Sequence, residues 1–285
     1  MTSAHEAEIR AASRFAFGRN WQQFLSDVDE RRIELATGSL RALLRVDDLD
    51  GRRFLDAGSG SGLFSLAARR LGARVVSFDY DPDSVACTTA LRRRYRADDA
   101  DWQVLAGSVL DRGFLATLGQ FDVVYSWGVL HHTGAMWEAL DNVAELVAGD
   151  GIIGLAIYND QGRASRRWLA VKRAYNRLPA GLRSLVLIPC WLRLWGPTLV
   201  RDSLQGDPLG SWRRYATDSV RGMSPWRDLV DWVGGLPFEV ARPEELLDYY
   251  RDRGFELTAL KTCAGGIGCN EFVFVKRESR AEPCR

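Results

Sequence analysis

Short, unbroken apolar runs alternate with longer amphipathic stretches through the middle of the chain. Phe54-Leu55, Val75-Val76 with Phe78, Val104-Leu105, Val123-Val124-Tyr125 and Ile152-Ile153 with Leu155-Ala156-Ile157 read as buried strands. Between them, residues 63–70 and 84–94 and a segment starting near Ala135 read as helices. Strand and helix taking turns in this way predict an α/β domain of parallel strands joined by right-handed crossovers. Such a sheet holds its ligand at the carboxyl ends of the strands. Two further alternating strands, 255–262 and 271–276, follow later and are joined through Gly265, Gly266 and Gly268.

Outside this rhythm the chain divides differently. The first fifty residues read as helical, with Phe15, Phe17, Trp21, Phe24, Leu25 and Val28 on a core-seeking face. The 161–250 stretch is far longer than a crossover needs, which predicts a helical lid or substrate subdomain. The expected organisation is therefore an N-terminal helical cap (1–50), a core (51–160), the insertion (161–250), closing strands of the core (251–277) and a tail (278–285).

Charge changes the picture in one place only. The chain as a whole carries +1, yet residues 161–227 hold twelve Arg and Lys172 against three Asp, a local surplus of ten. Trp168, Tyr175, Trp191, Trp195, Trp212, Tyr215 and Trp226 are interleaved with those bases. An RNA surface, a membrane interface and a pocket for an apolar or anionic molecule all fit that mixture. RNA is the least favoured, because no recognisable RNA module accompanies it. Residues 182–200 are strongly apolar but interrupted by Pro189, Arg193 and Pro197, so a bilayer span is not expected. A lid helix, a protomer contact, shallow insertion at a membrane surface and an ordinary core helix stay open for it.

With 46% hydrophobic and 26% charged residues, no cleavable signal at residues 1–10 and no sustained apolar span, a soluble cytoplasmic protein is expected. The five cysteines are scattered, which argues for reduced thiols rather than a disulfide framework or a zinc site.

The chemistry concentrates in Leu55-Asp56-Ala57-Gly58-Ser59-Gly60-Ser61-Gly62. Glycine lets the backbone take positive φ and lets a ligand lie against it, while the helix that follows turns free N–H groups toward whatever sits there. A dinucleotide fingerprint would place its third glycine at position 63, where this chain has Leu63; here the order is Gly-x-Gly-x-Gly. That spacing disfavours an NAD-dependent oxidoreductase. About twenty residues on, a second strand ends in Asp79, the place where nucleotide-binding α/β folds hold a ribose hydroxyl pair. Its alternative role is to start the turn through Asp81-Pro82.

With Phe78-Asp79, the glycine loop, Gly107-Ser108-Val109-Leu110-Asp111 and the run from Phe121 to His132, the chain resembles the class I S-adenosylmethionine-dependent methyltransferases over roughly residues 50–160 and 250–277. The Val129-Leu130-His131-His132 run looks like the branch acting on quinones, sterols and related metabolites. The resemblance implies a doubly wound, Rossmann-like, seven-stranded sheet, mostly parallel, with a closing antiparallel hairpin, N-terminal helices and a helical insertion before the last two strands. It implies S-adenosylmethionine as cofactor. Asp56, Gly58, Gly60 and Gly62 would lie under its methionyl part. Asp79 with Tyr80 would hold the ribose, Ser108 and Val109 would meet the adenine, and Ser126 and Trp127 would lie beside the cofactor. In many relatives an acidic residue stands where this chain has Ser108, so the adenine amino contact is less secure here and Asp111 need not replace it. A leading helix covers the methionine end in related enzymes, which points to Asn20 and Trp21 within 17–21.

For catalysis the candidates are His132, His131, Tyr158 and Asp160, all at carboxyl ends of strands. A histidine there can bond the cofactor or take a proton from the acceptor, and one of the two can instead cap a helix. Tyr158 and Asp160 can orient or deprotonate an acceptor, and an Asn-Asp turn also arises without function. No metal is expected, since adjacent histidines point apart with no third ligand at useful spacing. The sixth strand, if parallel to the others, would bring 263–270 to the acceptor pocket. The expected reaction is in-line transfer of the sulfonium methyl group to an O, N or C nucleophile of a small, lipophilic metabolite, with nucleic acid disfavoured and membrane contact and homo-oligomerisation open. A noncatalytic cofactor-binding scaffold and an RNA methyltransferase are the alternatives.

Overall fold

The computed structural model of the chain describes residues 2–18, 21, 25, 28–218 and 224–277. Its strands are β1 (Arg53–Ala57), β2 (Arg74–Asp79), β3 (Trp102–Ala106), β4 (Phe121–Trp127), β5 (Val147–Tyr158), β6 (Phe255–Lys261) and β7 (Cys269–Lys276). They form one sheet in the order β3-β2-β1-β4-β5-β7-β6. The first five are parallel neighbours, while β7 runs antiparallel between β5 and β6. The strand order reverses at β1, whose register sets Asp56 beside Ser77 on one side and Tyr125 on the other. A crevice therefore opens above the carboxyl ends of β1, β2 and β4, where α/β sheets bind ligands.

Helices cover both faces. On one, α2 (Glu30–Leu44) and α3 (Leu63–Arg70) bury Ile33, Leu40, Leu66 and Ala67 against Phe54, Val75 and Tyr125. On the other, α6 (Met136–Glu145) buries Leu140 and Val143 against Leu55, Val124 and Ile153. Both faces of the central strands are thus dry, which is why they read as continuous apolar runs rather than alternating ones. Asp81 opens α4 (Pro82–Tyr95) by accepting from the Asp83 N–H, and Asp111 opens α5 (Arg112–Ala116) by accepting from Phe114.

The N-terminal region departs from a continuous helical reading. After α1 (Thr2–Arg10) the chain is non-helical through residue 16, and Phe15 is buried from that segment. The backbone N–H of Phe15 donates to Leu236 O at 3.0 Å, so this stretch is tied to the insertion rather than to its own helix.

The insertion consists of α7 (Arg163–Arg177), α8 (Ser184–Leu204), α9 (Gly210–Asp218) and α10 (Pro225–Gly234), gathered round Tyr175, Leu187, Cys190, Leu229 and Val233. Within the same 161–250 stretch, α11 (Pro243–Arg251) packs instead on the sheet through Leu246 and Tyr250. Pro189 and Pro197 lie inside one helix, α8, in keeping with the lid-helix and core-helix readings of the 182–200 stretch. Each proline deprives the carbonyl four residues earlier of its N–H partner. Those carbonyls belong to Leu185 and Arg193, both exposed positions where water can serve. Among the described residues no helix is long and apolar enough to cross a membrane.

Candidate functional site

The turn between β1 and α3 takes positive φ at Gly58 (85°) and Gly60 (53°). A Cβ on Gly58 would lie 2.3 Å from Val129 Cγ1, and one on Gly60 would lie 3.1 Å from the Trp21 indole nitrogen. Both positions therefore demand glycine for conformation, and Gly58 demands it for space as well. The loop is held to β2 by Gly58 and Ser59 N–H donating to Phe78 O at 2.9 and 3.1 Å, and by Gly60 N–H donating to the Asp79 carboxylate at 2.9 Å.

Above this loop lies a cavity of about 750 Å³. Its floor is formed by Asp56, Gly58, Gly60 and Asp79 with Ser108 and Val109 at the end of β3. From there it continues past Trp127 and Val129 to His132 and Tyr158, and then to Trp195, Tyr215 and Trp232 of the insertion. Ile267, Gly268 and Cys269 of the β6–β7 turn close one side, as the parallel direction of β6 requires. The N-terminal segment closes another: Arg14 donates to His132 O at 3.0 Å and lies over the Tyr80 ring, and Gly18 N–H donates to Asp81 at 2.8 Å.

Two carboxyls on this floor are held far from their ordinary behaviour. Burial pushes Asp79 up to about 6, against the N–H groups of Asp81 and Gly60 that favour its anion. Burial pushes Asp56 up to about 7, with the Ser65 hydroxyl opposing and the Asp79 charge reinforcing. Ser65 donates to Asp56 and shares a 2.7 Å hydrogen bond with Ser77, which also accepts from Trp102 Nε1 at 2.9 Å. A buried polar chain thus fixes the Asp56 side chain from below.

At the other end of the cavity, His132 sits on the single turn of helix Leu130–His132, with its Nδ1 2.6 Å from Pro237 O. A carbonyl oxygen only accepts, so Nδ1 carries the proton and Nε2 the lone pair. The Tyr158 ring meets His132 edge-on at 5.3 Å and Trp232 edge-on at 5.1 Å. Behind this aromatic wall lies Lys172, whose Nζ donates to Trp232 O and sits 4.4 Å from the Trp232 ring and 4.6 Å from Phe238. Burial pushes the Lys172 amine down to about 7, with Asp231 opposing.

Residues 55–153 match the family model described as a methyltransferase domain. Over these residues the chain carries a methyltransferase domain. Among curated proteins, the chain is 29% identical over 144 residues to a tRNA U34 carboxymethyltransferase of Methylococcus capsulatus, covering 50% of this chain and 41% of that one. It is 26% identical over 167 residues to a ubiquinone biosynthesis O-methyltransferase of a Caulobacter species, covering 56% of this chain and 60% of that one. The chain thus spans less than two thirds of the length of these curated relatives. In fold, the chain superposes on the magnesium protoporphyrin IX methyltransferase of Synechocystis PCC 6803 with bound SAH at a TM-score of 0.52 and 16% identity, covering 91% and 94% of the two chains.

Of the positions that sequence singled out, Trp21, Asp56, Gly58, Gly60, Asp79, Tyr80, Ser108, Val109, Trp127, His132 and Tyr158 all line the one cavity. Four described ones do not. Gly62 caps α3, where a Cβ would lie 3.0 Å from Thr88 Cα, so its glycine serves helix packing. Ser126 is fully buried beneath the loop, its hydroxyl donating to Ala57 O at 2.8 Å. His131 is fully buried with its Nδ1 3.4 Å from the Tyr158 N–H, and its ring stacks under Tyr158 at 3.9 Å. Asp160 accepts from Gly162 N–H at 2.8 Å, which closes the turn into α7. Asn20 lies outside the described residues, and Asp111 is spent on capping α5. The two histidine rings do not point apart but lie 4.4 Å from each other; among the described residues no cluster suited to a metal forms. Val129 and Asp81 were legible as neighbours of motifs, whereas Arg14 reaches the site from a segment with no motif of its own.

Proposed function

We propose that the chain transfers the sulfonium methyl group of S-adenosylmethionine to an O, N or C nucleophile of a small, lipophilic acceptor. The observation that carries this reading is the continuity of one cavity from the glycine loop and Asp79 to His132, Tyr158 and the aromatic side of the insertion. The residues present fit the cofactor. Gly58 and Gly60 leave backbone bare where a side chain would fill the cradle, and Asp79 brings a carboxylate to the ribose position. Ser108 and Val109 would meet the adenine, while Asp56 and Trp21 would flank the methionyl end. When bound, S-adenosylmethionine supplies an electrophilic methyl group on a good thioether leaving group.

The chain's own residues then have three tasks. Tyr158, Trp195 and Trp232 orient an apolar acceptor and exclude water, which supplies rate through positioning. His132, with its proton on Nδ1 held by Pro237 O, presents Nε2 as the acceptor for a proton that leaves an oxygen or nitrogen nucleophile. Arg14 and Tyr80 fasten the N-terminal segment over the cofactor end.

The test is transfer of label from methyl-labelled S-adenosylmethionine into cell extract separated into organic-soluble metabolites, water-soluble metabolites, nucleic acid and protein. Label in the organic-soluble fraction is expected. Label confined to nucleic acid or protein would sink the small-molecule reading. Binding of S-adenosylhomocysteine with no transfer to any fraction would favour a noncatalytic binder.

A further inference from the structure

We propose that the helical insertion docks the protein onto an anionic phospholipid surface, using the arginine face of α7 and the outward apolar face of α8. The first observation is α7 itself. Arg163, Arg166, Arg167, Arg173 and Arg177 recur at helical spacing and are all exposed, while Lys172 and Tyr175 point into the insertion. None of the five forms an ion pair with a carboxylate among the described residues. Five guanidinium groups on one face, with no carboxylate paired to them among the described residues, describe a surface that waits for phosphate or carboxylate from elsewhere.

The second observation is α8. Leu187 and Cys190 pack inward, and Leu194 and Trp195 line the cavity. On the opposite side Leu185, Ile188, Leu192, Val200 and Leu204 stand 66, 54, 56, 63 and 85% exposed. Their recurrence at helical spacing makes them one stripe, roughly 30 Å long at the rise of an α-helix. Monomeric proteins seldom leave this much aliphatic surface along one side of a helix in water, even with Arg193 and Gly196 interrupting the row.

Charge decides among the possible occupants. A second copy of the chain would bury the aliphatic strip but would set one local surplus of ten positive charges against another. RNA would satisfy the arginines, yet single strands are held by aromatic platforms, and the strip on α8 is Leu, Ile and Val. An anionic bilayer offers both chemistries in one surface: headgroups meet guanidinium groups, and the interfacial acyl region takes aliphatic side chains. The helix does not span the membrane; it lies in the surface. Docking stands independently of the reaction. If the acceptor is lipophilic, as proposed above, the same contact sets the cavity wall formed by Leu194 and Trp195 on the helix that faces lipid.

The experiment is vesicle flotation of the full-length protein at low salt, with phosphatidylcholine alone and with phosphatidylcholine mixed with phosphatidylglycerol. Binding to the mixed vesicles alone, weakened by added salt, is expected. Replacing Arg166, Arg167 and Arg173 by Gln should lower partition onto the mixed vesicles by roughly a hundredfold. A second variant, Leu185→Ser with Ile188→Ser and Leu192→Ser, should lose most of what remains at high salt. S-adenosylhomocysteine affinity, measured on each variant, should be unchanged, since none of these side chains lines the cavity, and this confirms a folded core. The proposal is overturned by no flotation with either lipid, by equal binding to neutral vesicles, or by arginine-dependent binding to a short RNA that vesicles do not compete for. It is also overturned if the wild type sediments as a dimer and the serine variant as a monomer.

Discussion

Asp79 is where a single residue sets the working range of the site. In the ribose role proposed above, its carboxylate would have to be ionised to accept from both hydroxyls, and burial holds its pKa at about 6. Affinity for S-adenosylhomocysteine, measured by calorimetry, should accordingly be flat above about pH 7 and weaken below about pH 6. Asp79→Asn should weaken it at pH 8 by about 2 kcal/mol, roughly thirtyfold, because a carboxamide keeps the shape but loses charge-assisted acceptance. An unchanged affinity in that variant would remove Asp79 from the ribose site. His132 makes a different claim. His132→Gln should lower the rate of transfer to an oxygen or nitrogen acceptor by about a hundredfold or more while leaving S-adenosylhomocysteine affinity within about twofold. A parallel loss of both would make His132 a cofactor contact instead.

Among the elements, the glycines that follow β1 and β4, Gly58 and Gly128, separate the two reasons for having glycine. Gly128 takes φ 75° with no atom within 4 Å of the place a Cβ would occupy, whereas Gly58 takes φ 85° with Val129 pressed against it. Gly128→Ala should therefore cost only the left-handed backbone penalty of about 1–2 kcal/mol in unfolding free energy. Gly58→Ala should cost that plus the overlap with Val129, and Val129→Ala in the same chain should return part of the difference. Equal costs at the two glycines, read by urea denaturation, would mean the loop moves aside freely.

The same contrast explains what was legible in the sequence. The strands β1, β2, β3 and β4 were readable because a parallel sheet covered on both faces writes continuous apolar runs, and Gly58, Gly60 and Asp79 because ligand chemistry repeats their spacing. Gly62, Ser126, His131 and Asp160 sit in the same motifs but turn to packing, and one chain records only that they are near the loop. Arg14 and Trp232 arrive through tertiary packing, for which local sequence has no signal. α8 keeps its two prolines because a helix interior tolerates them when the orphaned carbonyl faces water.

At the scale of the whole molecule, three buried ionisable groups shape stability against pH, and they act in opposite directions. Asp56 and Asp79 have folded pKa values of about 7 and about 6 against an ordinary 3.8, so between those values the folded chain holds more protons than the unfolded one. Stability from these groups is complete below about pH 4 and is lost as pH rises toward about 7. Lys172 titrates at about 7 in the fold against an ordinary 10.5, so above pH 7 the unfolded chain holds the extra proton and stability rises with pH. The ligand-free protein should therefore pass through a shallow minimum near pH 7, where the carboxyls have ionised and the amine has not yet discharged. Urea midpoints across pH 4.5 to 9.5 test this. Asp56→Asn should flatten the acidic limb and Lys172→Met the alkaline limb, each leaving the other in place. Neither variant should alter the opposite limb, because Asp56 lies under the glycine loop and Lys172 behind Trp232 at the other end of the cavity. A profile in which both variants flatten both limbs would mean that acid and amine are coupled directly. A ligand carrying a sulfonium charge should raise stability little in acid and most at and above neutrality, since Asp56 and Asp79 ionise as pH rises through about 6 to 7 and a cation above them then stabilises the fold.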